Sequence, residues 1–236
     1  MLSAYDELLG SSQRRIWLLE AMARAIYQEC LREAGDATSV ESILEADYWK
    51  FISDNVSPSE GTKRYYATAD VDGLSILGAG IDYTFAEKPS RAQKQPTPLS
   101  VWFARMKDTY KIAWYSDVNS KAADASILSS GFAGFRASRP CYFPLLFLTI
   151  SSQEFQVQKN MYCTGATQMS LTNEGLTRIR VAIPSEVSAQ RLGTLTSPLL
   201  DQISVLQMQI HNLRATRDML LPRLLSGQIV LPDTAA

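Results

Sequence analysis

The chain has a single histidine, His211, and three cysteines, Cys30, Cys141 and Cys163, spread over 236 residues. That scarcity excludes a plausible zinc set, and three widely spaced thiols do not read as a disulfide framework. A reduced, cytoplasmic protein is the simplest expectation. An excess of one charge is missing too: 23 basic against 24 acidic residues leave a net charge of -1. Nothing pulls the whole molecule towards nucleic acid or membrane, so any basic surface must be local. No apolar run is long enough to span a bilayer; "CYFPLLFLTI" (141–150) is short, contains Pro144, and reads as a buried strand or helix. The opening "MLSAYDELLG" carries acids and lacks the basic-then-apolar order of an export signal. Phosphate-cradling loops are absent as well. "GLSILGAG" (73–80) lacks the lysine and the spacing, and no dinucleotide or adenosylmethionine glycine pattern follows a predicted strand. With carboxylates scattered and His211 on a predicted helix, the sequence points to binding rather than catalysis.

Two stretches of helical periodicity bracket the chain. Leu2, Tyr5, Leu9, Ser12, Ile16, Leu19, Ala23, Ile26 and Cys30 alternate spacings of three and four, a heptad seam ending at Gly35 and Asp36. Leu199, Ile203, Leu206, Ile210, Leu213, Arg217 and Leu220 repeat the pattern, with Arg217 its polar exception. Gly193 and Pro198 are expected to bend or interrupt that helix upstream. Each narrow apolar stripe requires a partner, and the economical arrangement pairs the two helices antiparallel as a coiled coil. Its interface would comprise Leu9, Ile16, Leu19, Ile26, Ile203, Leu206, Ile210, Leu213 and Leu220. The alternative is that both helices pack on a globular core. The ending "TRDMLLPRLLSGQIVLP" (216–232) predicts a break at Pro222, a last turn capped by Gly227, and a short strand.

Between the helices the pattern changes. "KRYYATADV", "SVWFARM", "YKIAWYS" and "RIRVAIP" are rich in aromatic and branched residues, and Gly/Pro/Ser/Asn clusters punctuate them. Short helices are expected around 39–52 and 171–177. The reading is an α+β fold: a spacer helix over 1–35, one domain with a curved, mostly antiparallel sheet over 36–184, and a second spacer helix with a short tail over 185–236.

Charge within that domain is uneven. Lys88, Arg91, Lys94, Arg105, Lys107 and Lys111 are opposed only by Glu87 and Asp108. The loop "EKPSRAQKQPTP" (87–98) presents Lys88, Ser90, Arg91, Gln93 and Lys94 together, groups that bind phosphate oxygens and base edges. On composition alone a solvated surface loop explains it better. In "CTGATQMSLTN" (163–173), Gly165 and Ala166 would let backbone approach a ligand, with Thr164, Thr167 and Gln168 as donors. An ordinary turn accounts for that stretch equally well.

Several segments, taken in order, resemble the specificity (S) subunit of type I restriction-modification systems. "LSAYDELLGSSQRRIWLLEAMARAIYQE" (2–29) is similar to the helical region before a target recognition domain. "PSRAQKQPTPLSVWFARMKD" (89–108) and "SSGFAGFR" (129–136) look like that domain's interior strands and loops. "TGATQMSLTNEGLTRIRVAIP" (164–184) resembles its closing turn, helix and strand, and "LRATRDMLLPRLLSGQI" (213–229) the family's C-terminal helix end. The resemblance implies a non-catalytic subunit that recognises double-stranded DNA, with no metal and no cofactor of its own. Methyltransferase (M) subunits carrying S-adenosylmethionine would dock on it and methylate adenine, and an endonuclease (R) subunit could join. It also implies that the 88–94 and 163–168 loops read bases, while Lys63, Arg64, Lys107, Arg136 and Lys159 are candidate phosphate contacts.

The departure from the family is size. A typical S subunit holds two recognition domains between antiparallel helices; this chain has room for one, in the order helix, domain, helix. It is either a half-subunit that homodimerises, reading a palindromic interrupted site, or a C-terminal fragment of a longer protein. A different class is an interaction module whose coiled coil regulates a methyltransferase complex without sequence-specific recognition. A third reading places it with a related restriction-methylation enzyme that pairs its specificity module differently.

Overall fold

The computed structural model describes residues 2–35 and 38–226. In chain order, helix α1 (Leu2–Ala34) precedes strands β1 (Ser39–Ser42), β2 (Trp49–Ile52), β3 (Thr62–Tyr66), β4 (Val71–Asp72), β5 (Ser75–Ile76), β6 (Ile81–Thr84), β7 (Ala92–Lys94), β8 (Ser100–Ala104) and β9 (Ile112–Tyr115). Then come α2 (Ser120–Asp124), β10 (Ser126–Ser129), β11 (Phe132–Ala137), α3 (Phe143–Ser151), α4 (Gln153–Met161), β12 (Cys163–Thr164) and β13 (Ser170–Leu171). Helix α5 (Asn173–Thr177), β14 (Arg180–Ile183) and the long α6 (Glu186–Leu225) complete the fold.

Side-chain chemistry sets several boundaries. Gly35 ends α1 at φ +45°, a left-handed cap that a residue with a Cβ adopts only under strain. The Ser152 hydroxyl accepts from the Phe155 amide to start α4, and Thr172 accepts from Gly175 to start α5.

The strands form two four-stranded sheets, β2-β11-β8-β9 and β6-β3-β10-β7, with three two-stranded pairs, β1-β14, β12-β13 and β4-β5. Among the named strands of the described residues, only β3 and β10 pair in parallel. Period-two alternation assigns the faces of the first sheet. Val101, Phe103, Ala133 and Phe135 join the core shared with the helices, whereas Trp102, Ala104 and Phe132 pack with Leu128 of the second sheet. Helix α3 is buried along its whole length between the first sheet and the long helices. It is the apolar stretch expected to be strand or helix.

Helices α1 and α6 run antiparallel, as expected. Arg217 meets Asp6 at one end (3.4 Å), and Arg191 meets Glu33 at the other (2.8 Å). Ile16 and Ala23 are buried opposite Ile203, Leu206 and Ile210; Leu9, Leu19 and Ile26 are half-buried against the same core, and Leu213 and Leu220 are half-buried further along α6. The helices do more than pair. Tyr27, off the predicted seam, is buried with its hydroxyl 3.3 Å from that of Thr149 in α3, so α1 also packs on the domain. The two arrangements that the sequence left open coexist.

Three expectations are corrected. Residues 39–52 form two strands, because β1 pairs with β14 and β2 with β11; these distant partners override local helical preference. Neither Gly193 nor Pro198 interrupts α6. A Cβ at 193 would overlap the Cys141 carbonyl, so glycine serves close packing there. Pro198 and Pro222 remove donors only for Thr194 and Asp218, both exposed, where water can replace them. The helix therefore continues past Pro222 to Leu225, and Ser226 N–H donates to the Pro222 carbonyl (2.9 Å). The Gly227 cap and the strand expected after it lie outside the described residues.

Across the first sheet, the Trp102 indole lies on Gly134, its register partner, where a Cβ would overlap the ring. Gly134→Ala is expected to lower stability by about 1–3 kcal/mol, the range for overpacking a filled core, as measured by urea unfolding.

Candidate nucleic-acid interface

A run of backbone hydrogen bonds draws together loops that are distant in sequence. Ser130 N–H donates to the Arg91 carbonyl (2.7 Å), Arg105 N–H to Gly131 (2.9 Å), Leu171 N–H to Arg105 (2.8 Å) and Lys107 N–H to Met169 (3.0 Å). The 88–94 loop and the 163–170 hairpin thus flank one segment, Arg105–Lys107, where β8 leaves the sheet. Gly165 makes the hairpin possible: its φ is +132°, and a Cβ would approach the Gln168 carbonyl to 2.6 Å.

Along this edge, free and occupied side chains separate clearly. Arg91 is exposed and makes no side-chain hydrogen bond or ion pair among the described residues. Lys107 is half-buried, with the Met169 sulfur 3.7 Å from its ammonium and no ion pair among the described residues. Thr164, Thr167 and Gln168 are exposed on the hairpin. Lys94 donates to Asn55 Oδ1 (2.9 Å) and the Ser53 carbonyl (3.3 Å). Burial, and then the nearby charge of Arg105, pull the Lys94 pKa down. Lys88 donates to the Ala92 carbonyl (2.8 Å) over the Phe85 ring, and the Gln93 amide donates to the Ser90 carbonyl (2.9 Å). Lys88, Ser90 and Gln93 therefore shape the loop that presents Arg91.

The remaining cations are distributed differently. Lys63 donates to Gln95 Oε1 (2.7 Å), just beyond β7. Arg64 makes a bidentate pair with Asp82 at 2.7 Å, which holds its pKa above the usual arginine value. Arg136 is exposed on β11 directly across from Lys50 on β2, and neither has a side-chain partner among the described residues. Lys159 cannot be a phosphate contact. It is 1% exposed, and its ammonium donates to the Thr109 carbonyl inside the protein.

Sequence reasoning missed Arg105 as a site residue. Its guanidinium donates to the Leu171 carbonyl (2.9 Å) and Asn173 Oδ1 (2.8 Å), joining the strand end to the hairpin. It was visible within the basic stretch, but its partners lie more than sixty residues away. Lys111, from the same stretch, instead donates to the Thr68 and Val71 carbonyls (3.0 and 2.8 Å). His211 is exposed on α6. Among the described residues no group of His, Cys, Asp or Glu is placed to hold a metal ion, and no helix is long and apolar enough to cross a membrane. What the edge can do is donate hydrogen bonds to an anionic, base-bearing surface.

No family model and no curated protein matches the sequence. Among solved structures, the type I restriction-modification S subunit from M. genitalium superposes over 99% of this chain with a TM-score of 0.55, at 15% identity. The chain has the fold of a type I S subunit. It spans 59% of that S subunit's length, which accommodates a single domain between one pair of long helices. The HsdS subunit of Thermoanaerobacter tengcongensis (12% identity, TM-score 0.43, 94% of this chain and 56% of that one) is also similar. So is a chain from a structure describing complex assembly and conformational transition of the type I system (13% identity, TM-score 0.43, 94% and 57%).

Within this S-subunit fold, the two arginines of the edge should respond differently to truncation. Arg91→Ala is expected to change stability by no more than about 0.5 kcal/mol, since nothing in the protein depends on it. Arg105→Ala leaves a carbonyl and a side-chain amide without their donor and should lower stability by about 1–3 kcal/mol. Thermal melts of the two variants make the comparison.

Proposed function

We propose that this chain is the DNA sequence-recognition subunit of a type I restriction-modification complex. The observation that carries this reading is the S-subunit fold with one cationic, hydroxyl-bearing edge built from two loops. Arg91 and Gln168 reach for base edges in the major groove, while Lys107 neutralises phosphate. The chain performs no chemistry. It brings M subunits, which hold S-adenosylmethionine, to adenines in a split target, and an R subunit cleaves unmodified DNA.

Two copies associating about a two-fold axis would supply the second recognition domain, so the target is an interrupted palindrome. Support comes from apolar residues on the outer face of α1. Trp17, Leu18 and Met22 are each more than half exposed there.

The test is co-expression with the cognate methyltransferase subunit in a methylation-free host, followed by genome-wide mapping of N6-methyladenine. An interrupted palindromic motif is expected. Soluble proteins without any motif would favour a helical interaction module lacking recognition of its own. In the same assay, Arg91→Ala should relax the motif at one base pair, a loss of about 1–3 kcal/mol of discrimination. Lys107→Ala should instead weaken binding to every duplex and reduce the slope of log K against log salt by about 1 in titrations.

A further inference from the structure

Lys159 is among the largest fully buried side chains in the protein, an uncommon place for an ammonium group. Burial pushes its pKa down. A methionine would fill similar volume without that desolvation, so the group's hydrogen bond is what it adds locally. That bond goes to the Thr109 carbonyl in the turn between β8 and β9. The neighbouring residue acts on the same turn, as Asn160 Oδ1 accepts the Asp108 amide at 3.0 Å. Asp108 is held at φ +56°, a left-handed conformation uncommon for residues with a Cβ though more accessible to Asp than to most, and the bond to Asn160 secures it there. Within it, the Thr109 hydroxyl donates to the Met106 carbonyl (2.7 Å).

Lys159 and Asn160 lie near the end of α4, which is anchored in the core by Phe155 packed edge-on against Phe103 of β8 (5.0 Å). The Cys163 thiol, at the first position of the hairpin, reaches both the Lys159 carbonyl (3.1 Å) and the Arg105 carbonyl (3.6 Å). One helix end therefore touches the turn that carries Lys107 and the hairpin that carries Gln168.

We propose that Lys159 and Asn160 are positioning residues for DNA recognition, clamping the β8–β9 turn so that Arg105 and Lys107 keep register with the 163–170 hairpin. Neither residue touches DNA. The inference rests on the reading of that edge as the DNA-contacting surface.

The test uses the full chain with its methyltransferase subunit. Lys159→Met and Asn160→Ala are compared with wild type by amide hydrogen exchange over 105–110, melting temperature and methylation motif. Exchange at Asp108 should accelerate roughly tenfold, as expected for a loosened local turn. The motif should admit a second base at one position about tenfold more readily, the scale of one misaligned base contact. Asn160→Asp keeps an acceptor for the Asp108 amide and should restore its protection. Should Lys159→Met fail to accumulate, Asn160→Ala, which removes one half-buried acceptor, decides alone. A lowered melting temperature with an unchanged motif makes the role structural and overturns the proposal, as does unchanged exchange in Asn160→Ala. Lys107→Ala separates the two failures. If it leaves DNA affinity intact, the edge itself is misassigned; if it weakens binding while the clamp variants read normally, only the clamp falls.

Discussion

Everything else in the molecule is arranged around the closure of α1 onto α6. The contact joins residues 158 to 211 positions apart and is fastened at both ends by ion pairs, Asp6 with Arg217 and Glu33 with Arg191. Those exposed pairs contribute little individually. The apolar strip between them, from Ile16 and Ala23 to Ile203 and Ile210, supplies the association. Because α3 is buried against both helices and the first sheet, the domain's position follows from the helix pair without a flexible joint between them.

On that base the domain builds its edge from pieces that no local sequence window contains. The 88–94 loop, the β8 end and the 163–170 hairpin are stitched by main-chain bonds, which fix position independently of side-chain identity. Side chains on which nothing in the frame depends, such as the exposed Arg91 and the half-buried Lys107, can then differ without disturbing it, whereas Arg105, Lys159 and Asn160 belong to it. Unengaged and supporting side chains are separate sets of residues here, sometimes only two positions apart.

This division explains what the sequence disclosed and what it concealed. Periodicity exposed α1 and α6, because a narrow apolar stripe demands a partner wherever the partner lies. It did not expose Tyr27, which faces a third element, nor the strands at 39–52, whose partners are β14 and β11. The two polar loops were legible as donor-rich, but their meeting depends on bonds through Arg105. Lys159 was misread because burial is not a local property: a lysine on a short polar helix looks solvated until β8 and the hairpin close over it. Pro222 was misread for the opposite reason, as an exposed helix face tolerates a missing donor that a buried one would not.

The order of the elements also constrains how the protein is made. Helix α1 leaves the ribosome before α6, and about 150 residues separate the two. At synthesis rates of roughly 5–20 residues per second, its apolar strip waits on the order of ten seconds or more for its partner. During that interval a nascent neighbour on the same messenger can offer its own α1, so the molecule must outpace exchange between sister chains or depend on chaperones to prevent it.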